Sequence, residues 1–180
     1  MIVLGVDPSS TSAGYGFIEY RNREARFISC GCIRSKEDDF EDRLVHIYDE
    51  MERLLGEFAP DEGAIESTFF GKDATAAAKL NQARGGLLIA MRKAGLPITD
   101  YTPATVKKAV AGNGQAAKEQ VQFMVTRMLG LKESPKPLDA SDALAVALCH
   151  TQRSGQIAVA GKGGHRKPEV EALLSRMVRR

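Results

Sequence analysis

The chain opens on an apolar run, Met1-Ile2-Val3-Leu4-Gly5-Val6, which stops at Asp7 and gives way to a polar turn, Pro8-Ser9-Ser10-Thr11-Ser12. An apolar run of this length bounded by turn residues predicts a buried strand. Extended patterns resume over 14–20 and, after a charged turn, over 25–33, so the first third of the chain predicts an antiparallel meander. The period then changes. Leu44, Ile47, Tyr48, Met51, Leu54, Leu55 and Phe58 recur at helical spacing, and Pro60 ends the pattern. A short buried strand is expected over 63–67, an alanine-rich helix over 74–94 and a fifth strand over 96–101. Helices over 103–111 and 116–129, separated by Gly112-Asn113-Gly114, precede a last helix opened by Asp139. Strands followed by alternating helix and strand predict an α/β fold, a mixed sheet covered by helices. Gly85-Gly86 falls inside the long helix, where each Gly costs about 1 kcal/mol against Ala; close approach of another backbone is the expected compensation.

Composition narrows the class without naming it. The 180 residues, 43% hydrophobic and 27% charged, suit one soluble globular domain. No apolar stretch reaches membrane-spanning length and the sequence starts directly on a strand pattern, so a cytoplasmic protein with no membrane partner is expected. Net charge is only +2. Basic residues nevertheless gather at Lys107, Lys108, Lys118, Arg127, Lys132 and Lys136, and again at Lys162, Arg166, Lys167, Arg176, Arg179 and Arg180. Solvated surface and nucleic-acid contact both explain such clusters. Cys30, Cys32 and Cys149 cannot form a disulfide framework, and Cys30 and Cys32, sharing one strand face, read as buried small hydrophobes. His46, His150 and His165 offer no zinc-ligand spacing. Residues 155–180 have weak periodicity: a glycine-rich stretch with a mobile look, then a possible short helix on Val170, Leu173, Leu174 and Met177.

Carboxylates carry the chemistry. Asp7 and Glu66 each end an apolar strand pattern, and Asp139 and Asp142 stand three apart at the start of the last helix. Each has an ordinary alternative. Asp before Pro opens turns, Asp139 and Asp142 suit a helix N-terminus as cap and dipole partner, and Glu66 suits an ion pair, although Lys72 is its nearest basic residue in sequence. Strand ends and helix starts converge on one edge of an open α/β sheet. Gathered there, these oxygens would suit divalent ions that also hold a phosphate, the requirement of a metal-dependent phosphodiesterase.

At these residues the chain resembles the RuvC-type crossover junction endodeoxyribonucleases, Holliday junction resolvases of the ribonuclease H-like superfamily. The likeness runs from residue 1 to about 152. It rests on Gly5-Val6-Asp7-Pro8 with Gly14-Tyr15-Gly16, Ala64-Ile65-Glu66 with Phe69, and Lys79-Leu80-Asn81-Gln82-Ala83-Arg84-Gly85. It continues through Val106-Lys107-Lys108-Ala109-Val110, Gly112-Asn113-Gly114 with Lys118-Glu119-Gln120-Val121, and Asp139-Ala140-Ser141-Asp142-Ala143-Leu144-Ala145. The resemblance implies a ribonuclease H-like five-stranded mixed sheet flanked by helices, a nuclease domain over 1–154 and a basic, flexible tail over 155–180. It implies a homodimer that makes paired symmetric cuts in four-way junction DNA during recombination and repair, beside a branch-migration helicase complex of the RuvA-RuvB type. Asp7, Glu66, Asp139 and Asp142 match the residues that hold two Mg²⁺ ions, with Mn²⁺ as a substitute. Phe69 matches an aromatic near displaced bases, Lys107 and Lys118 match lysines near the scissile phosphate, and 74–94 matches a dimer helix.

Two positions depart from the pattern. Ser9 replaces the usual Gly after Asp-Pro, which favours a type I over a type II turn, and Ser141 replaces Ala, where its hydroxyl is expected to help cap the helix. Two other functions compete. Gly5-Val6-Asp7 through Gly16 also resembles the phosphate loop of actin-like and sugar kinases, which normally need two such domains. A non-catalytic DNA-binding module would keep the fold without cutting.

Overall fold

A computed structural model describes residues 1–68 and 73–154 of the chain. Strands β1 (Ile2–Pro8), β2 (Ser12–Arg21) and β3 (Glu24–Arg34) come first. Then follow α1 (Phe40–Phe58), β4 (Glu62–Glu66), α2 (Ala74–Lys93), β5 (Ile98–Tyr101), α3 (Pro103–Ala111), α4 (Lys118–Met128) and α5 (Leu138–Ser154). The sheet order is β3-β2-β1-β4-β5. β1, β2 and β3 pair antiparallel, while β4 runs parallel to both β1 and β5. This is the mixed five-stranded sheet that the sequence predicts.

Element ends follow local chemistry. Asp39 Oδ1 accepts the amides of Glu41 and Asp42, so α1 starts at Phe40, a turn ahead of the periodic pattern that opens at Leu44. Asp73 caps α2 in the same way through Thr75 and Ala76. At the other end of α2 the Leu96 amide donates to the Met91 carbonyl, so Leu96 belongs to the closing turn and β5 begins only at Ile98. Ser9 is not among the residues with positive φ, in keeping with the type I preference.

Strand alternation divides the core. Ile2, Leu4, Val6 and Ile65 face one side, packed with α1 and α2, whereas Val3 and Ala64 face the other, packed with α3, α4 and α5. On that second face α5 lies directly on the strands. A Cβ on Gly5 would collide with the Ala143 carbonyl, one on Gly14 with the Asp139 carbonyl, and one on Gly16 would come within 2.8 Å of Leu144. These glycines let a helix backbone touch a strand backbone. No such role is found at Gly85 and Gly86: among the described residues nothing lies within 4 Å of an added Cβ, so none of them makes the expected close approach.

The far end of α5 is fixed by polar contacts. His150 is buried, with one ring nitrogen 2.6 Å from Glu62 Oε2 and the other 3.0 Å from the Tyr101 hydroxyl. Among the described residues, no helix is long and apolar enough to cross a membrane. Phe69, the expected tail over 155–180 and the short helix expected around Val170 to Met177 lie outside the described residues.

Candidate active site

Sheet register brings the first two carboxylates together. Val6 of β1 is paired in parallel with Ile65 of β4, and the next residue on each strand is Asp7 and Glu66. Side chains alternate, so Asp7 shares the face of Val3 and Gly5, and Glu66 that of Ala64. Both therefore point to the side covered by α5. The N-terminal halves of three helices close over them. A cleft of about 180 Å³ is lined by Asp7 and Glu66, by Pro103, Val106 and Lys107 of α3, by Lys118 and Val121 of α4, and by Asp142 and Ala145 of α5.

The electrostatics are strained by design of the fold: carboxylates make the floor and lysines the rim. Burial first, then Glu66 and Asp142, push the Asp7 carboxyl up to about 8, with Lys118 opposing. Burial and Asp142 likewise push Glu66 up to about 7, against the pull of Lys118 and Lys107. Lys118 Nζ lies 3.1 Å from Asp142 Oδ2, and that carboxylate is the main reason its ammonium titrates above the usual range. Glu66, which has no basic neighbour in sequence, thus meets its cations only through the fold.

Asp139 behaves differently from its expected partners. It is the second residue of α5, is not part of the cleft lining, and its Oδ2 accepts the Cys32 thiol at 3.5 Å. The cap role considered for it is filled by no such bond. Cys30 and Cys32 are half-buried rather than core, which corrects the expectation for both; edge strand β3 leaves their face only partly covered. Ser141 does not cap α5 either: its hydroxyl is fully buried and has no hydrogen-bond partner among the described residues. Neither Cys32 nor the cleft-lining Pro103 and Val121 carried any signal in spacing or composition.

An all-oxygen donor set with surplus negative charge, already pushing its own carboxyls toward protonation, fits hard divalent cations better than soft ones. As they stand, no three described His, Cys, Asp or Glu side chains converge tightly enough to close round one ion. Asp142 is meanwhile held by Lys118 at 3.1 Å. The fit of the residues is therefore one of chemistry and placement.

Comparison with known proteins gives concordant results. The profile of the family described as Crossover junction endodeoxyribonuclease RuvC matches residues 3–150. A protein of that name from Shewanella amazonensis is 46% identical over 149 residues, covering 83% of this chain and 86% of its own. One from Chlorobium phaeovibrioides is 46% identical over 172 residues, covering 91% of each. Among solved structures, Thermus thermophilus RuvC in complex with Holliday junction substrate superposes with a TM-score of 0.80 at 37% identity, covering 87% of this chain and 96% of that one.

Proposed function

This chain belongs to the crossover junction endodeoxyribonuclease RuvC family, with its ribonuclease H-like fold, and from that premise we propose that it resolves four-way DNA junctions by metal-dependent phosphodiester cleavage. Asp7, Glu66, Asp139 and Asp142 would hold the ions, two Mg²⁺ per site with Mn²⁺ as substitute. The observation that carries this reading is the pairing of Asp7 and Glu66 on adjacent parallel strands beneath Asp142, with both carboxyls pushed far above their usual range. Bound ions would supply an activated water and stabilise the departing 3′-oxygen of an in-line displacement.

The protein's own groups do the rest. The lysines at the rim, Lys107 and Lys118, would hold the phosphate, assisted by the positive ends of the helices that open at Pro103, Lys118 and Leu138. The apolar wall of Val106, Val121 and Ala145 limits access of bulk water. Phe69, placed by sequence just beyond Glu66, is proposed to stack on a base freed at the junction centre.

Paired symmetric cuts need two such clefts, so we propose a homodimer, with α2 as the joining helix, and a branch-migration complex of the RuvA-RuvB type as partner in the cytoplasm. Support for α2 comes from Ile89, a large apolar side chain that is 57% exposed, on a helix where no described atom lies within 4 Å of a Cβ added at Gly85 or Gly86.

The test is a synthetic four-way junction incubated with purified protein, with and without Mg²⁺. The wild type should cut in pairs only with the ion. Asp7→Asn and Glu66→Gln should each lower the cleavage rate by about 100-fold or more while the junction is still bound. Binding without cutting by the wild type, in Mg²⁺ and in Mn²⁺, would favour the non-catalytic module instead.

A further inference from the structure

The motif from Lys79 to Gly85 lies on α2, on the opposite face of the sheet from the cleft, and lines no part of it. Two of its side chains nevertheless meet the chain where it leaves β4. Arg84 is largely buried; its Nη2 donates to Asp100 Oδ1 of β5 at 2.6 Å, and its Nε points at the Glu66 carbonyl at 3.4 Å. The second contact is long, so the guanidinium acts there by charge and placement as much as by hydrogen bonding. Asn81 Oδ1 accepts the Thr68 hydroxyl at 2.7 Å, and its amide donates to the Ala77 carbonyl of its own helix at 3.0 Å. Between these two grips, the Ser67 amide donates to the Tyr101 carbonyl of β5 at 2.8 Å.

The three residues after Ile65 are therefore each held, Glu66 and Thr68 from α2 and Ser67 by β5, while the Glu66 carboxylate projects forward into the cleft. That arrangement bears on the site because Glu66 is the last residue of its strand and is repelled by Asp142. Repulsion of that kind favours rotation of the carboxylate away from the cleft, and a loosened peptide would add to it. We propose that Arg84 is a positioning residue for the metal site: from the far face of the sheet it fixes the peptide of Glu66, and so sets the carboxylate against Asp7, with Asn81 holding the following turn. Arg84 touches neither DNA nor ion; it acts through Glu66.

The proposal rests on the reading of Glu66 as a metal ligand, and the test separates the two. Mn²⁺ binding to the intact protein is measured by calorimetry for the wild type, Glu66→Gln, Arg84→Gln, Arg84→Lys and Asp100→Asn, alongside thermal midpoint, junction affinity and the metal dependence of cleavage. Glu66→Gln should lose Mn²⁺ binding; if it binds as the wild type does, the reading of the site fails. Arg84→Gln should weaken Mn²⁺ binding about 10-fold, move the cleavage midpoint by a similar factor to higher metal, and leave junction affinity unchanged. Arg84→Lys, which keeps the charge but cannot span both acceptors, should fall between the two and serves alone if Arg84→Gln does not fold. Asp100→Asn weakens the anchor of the guanidinium without removing its contact with Glu66 and should shift the midpoint less than Arg84→Gln does. With Glu66→Gln impaired, an unshifted Arg84→Gln, or a shift in Asp100→Asn as large as that of Arg84→Gln, overturns the proposal.

Discussion

Ser141 and Asp7 are both polar groups held where polarity is costly, and they answer to different needs. The Ser141 hydroxyl is buried on the underside of α5 without a partner among the described residues, where an unmade hydrogen bond costs about 1–3 kcal/mol. Ser141→Ala removes it without opening a cavity of consequence, so chemical denaturation should show a gain of about 1 kcal/mol with cleavage unaffected. Asp7 cannot be exchanged so freely, since its cost is what makes a cation welcome. The four carboxylates were recognisable from sequence because each closes a strand pattern or opens a helix. Their separate circumstances were not. The contact of Asp139 with the Cys32 thiol spans 107 positions, and the hold of Lys118 on Asp142 spans 24, so no local pattern could announce either.

Among the elements, α5 and the strands beneath it govern the cleft. Gly14 sits opposite Asp7 in the β1–β2 pairing and directly under the Asp139 carbonyl. Gly14→Ala must lift the first turn of α5, which overpacking data put at about 1–3 kcal/mol. Thermal denaturation should report that loss, and cleavage should fall further than stability alone explains, because Asp142 moves with the helix; full activity in a stably folded Gly14→Ala would show that the close seating is dispensable. The elements themselves were readable wherever the apolar period was long: β1, α1 and α5 appear where expected. Leu96 and Pro97 share the apolar look of the strand that follows; the αL turn at Gly95, with φ of 80°, and the bond back to Met91 claim Leu96 for the end of α2, while the Pro97 carbonyl already accepts the Gly63 amide of β4. Gly85-Gly86 misled for the opposite reason, since no described neighbour approaches the pair closely enough to require it.

Taken as a whole, the protein folds against its own charge. A carboxyl whose folded pKa is raised binds protons more tightly folded than unfolded, so its contribution is complete below the unfolded value and drains away as pH rises. For Asp7 and Glu66 that window runs from about 4 to about 8. Without divalent ions the thermal midpoint should therefore fall between pH 5 and pH 8.5, and Asp7→Asn should flatten the slope. Mg²⁺ binds the ionised form, so it should raise the midpoint more at pH 8 than at pH 5. A metal-free midpoint rising over that range in wild type relative to Asp7→Asn would contradict the charge assignment.

The cleft opens on one side of the sheet and α2 packs on the other. Were two molecules joined through α2, as proposed, each would keep its reactive pocket on the face of its sheet away from the joint. With layers stacked about 10 Å apart, sheet, helix, helix and sheet make a body on the order of 30 Å thick between the pockets. A substrate cut on both sides must straddle that body, which favours nucleic acid whose strands already part ways over a single straight duplex.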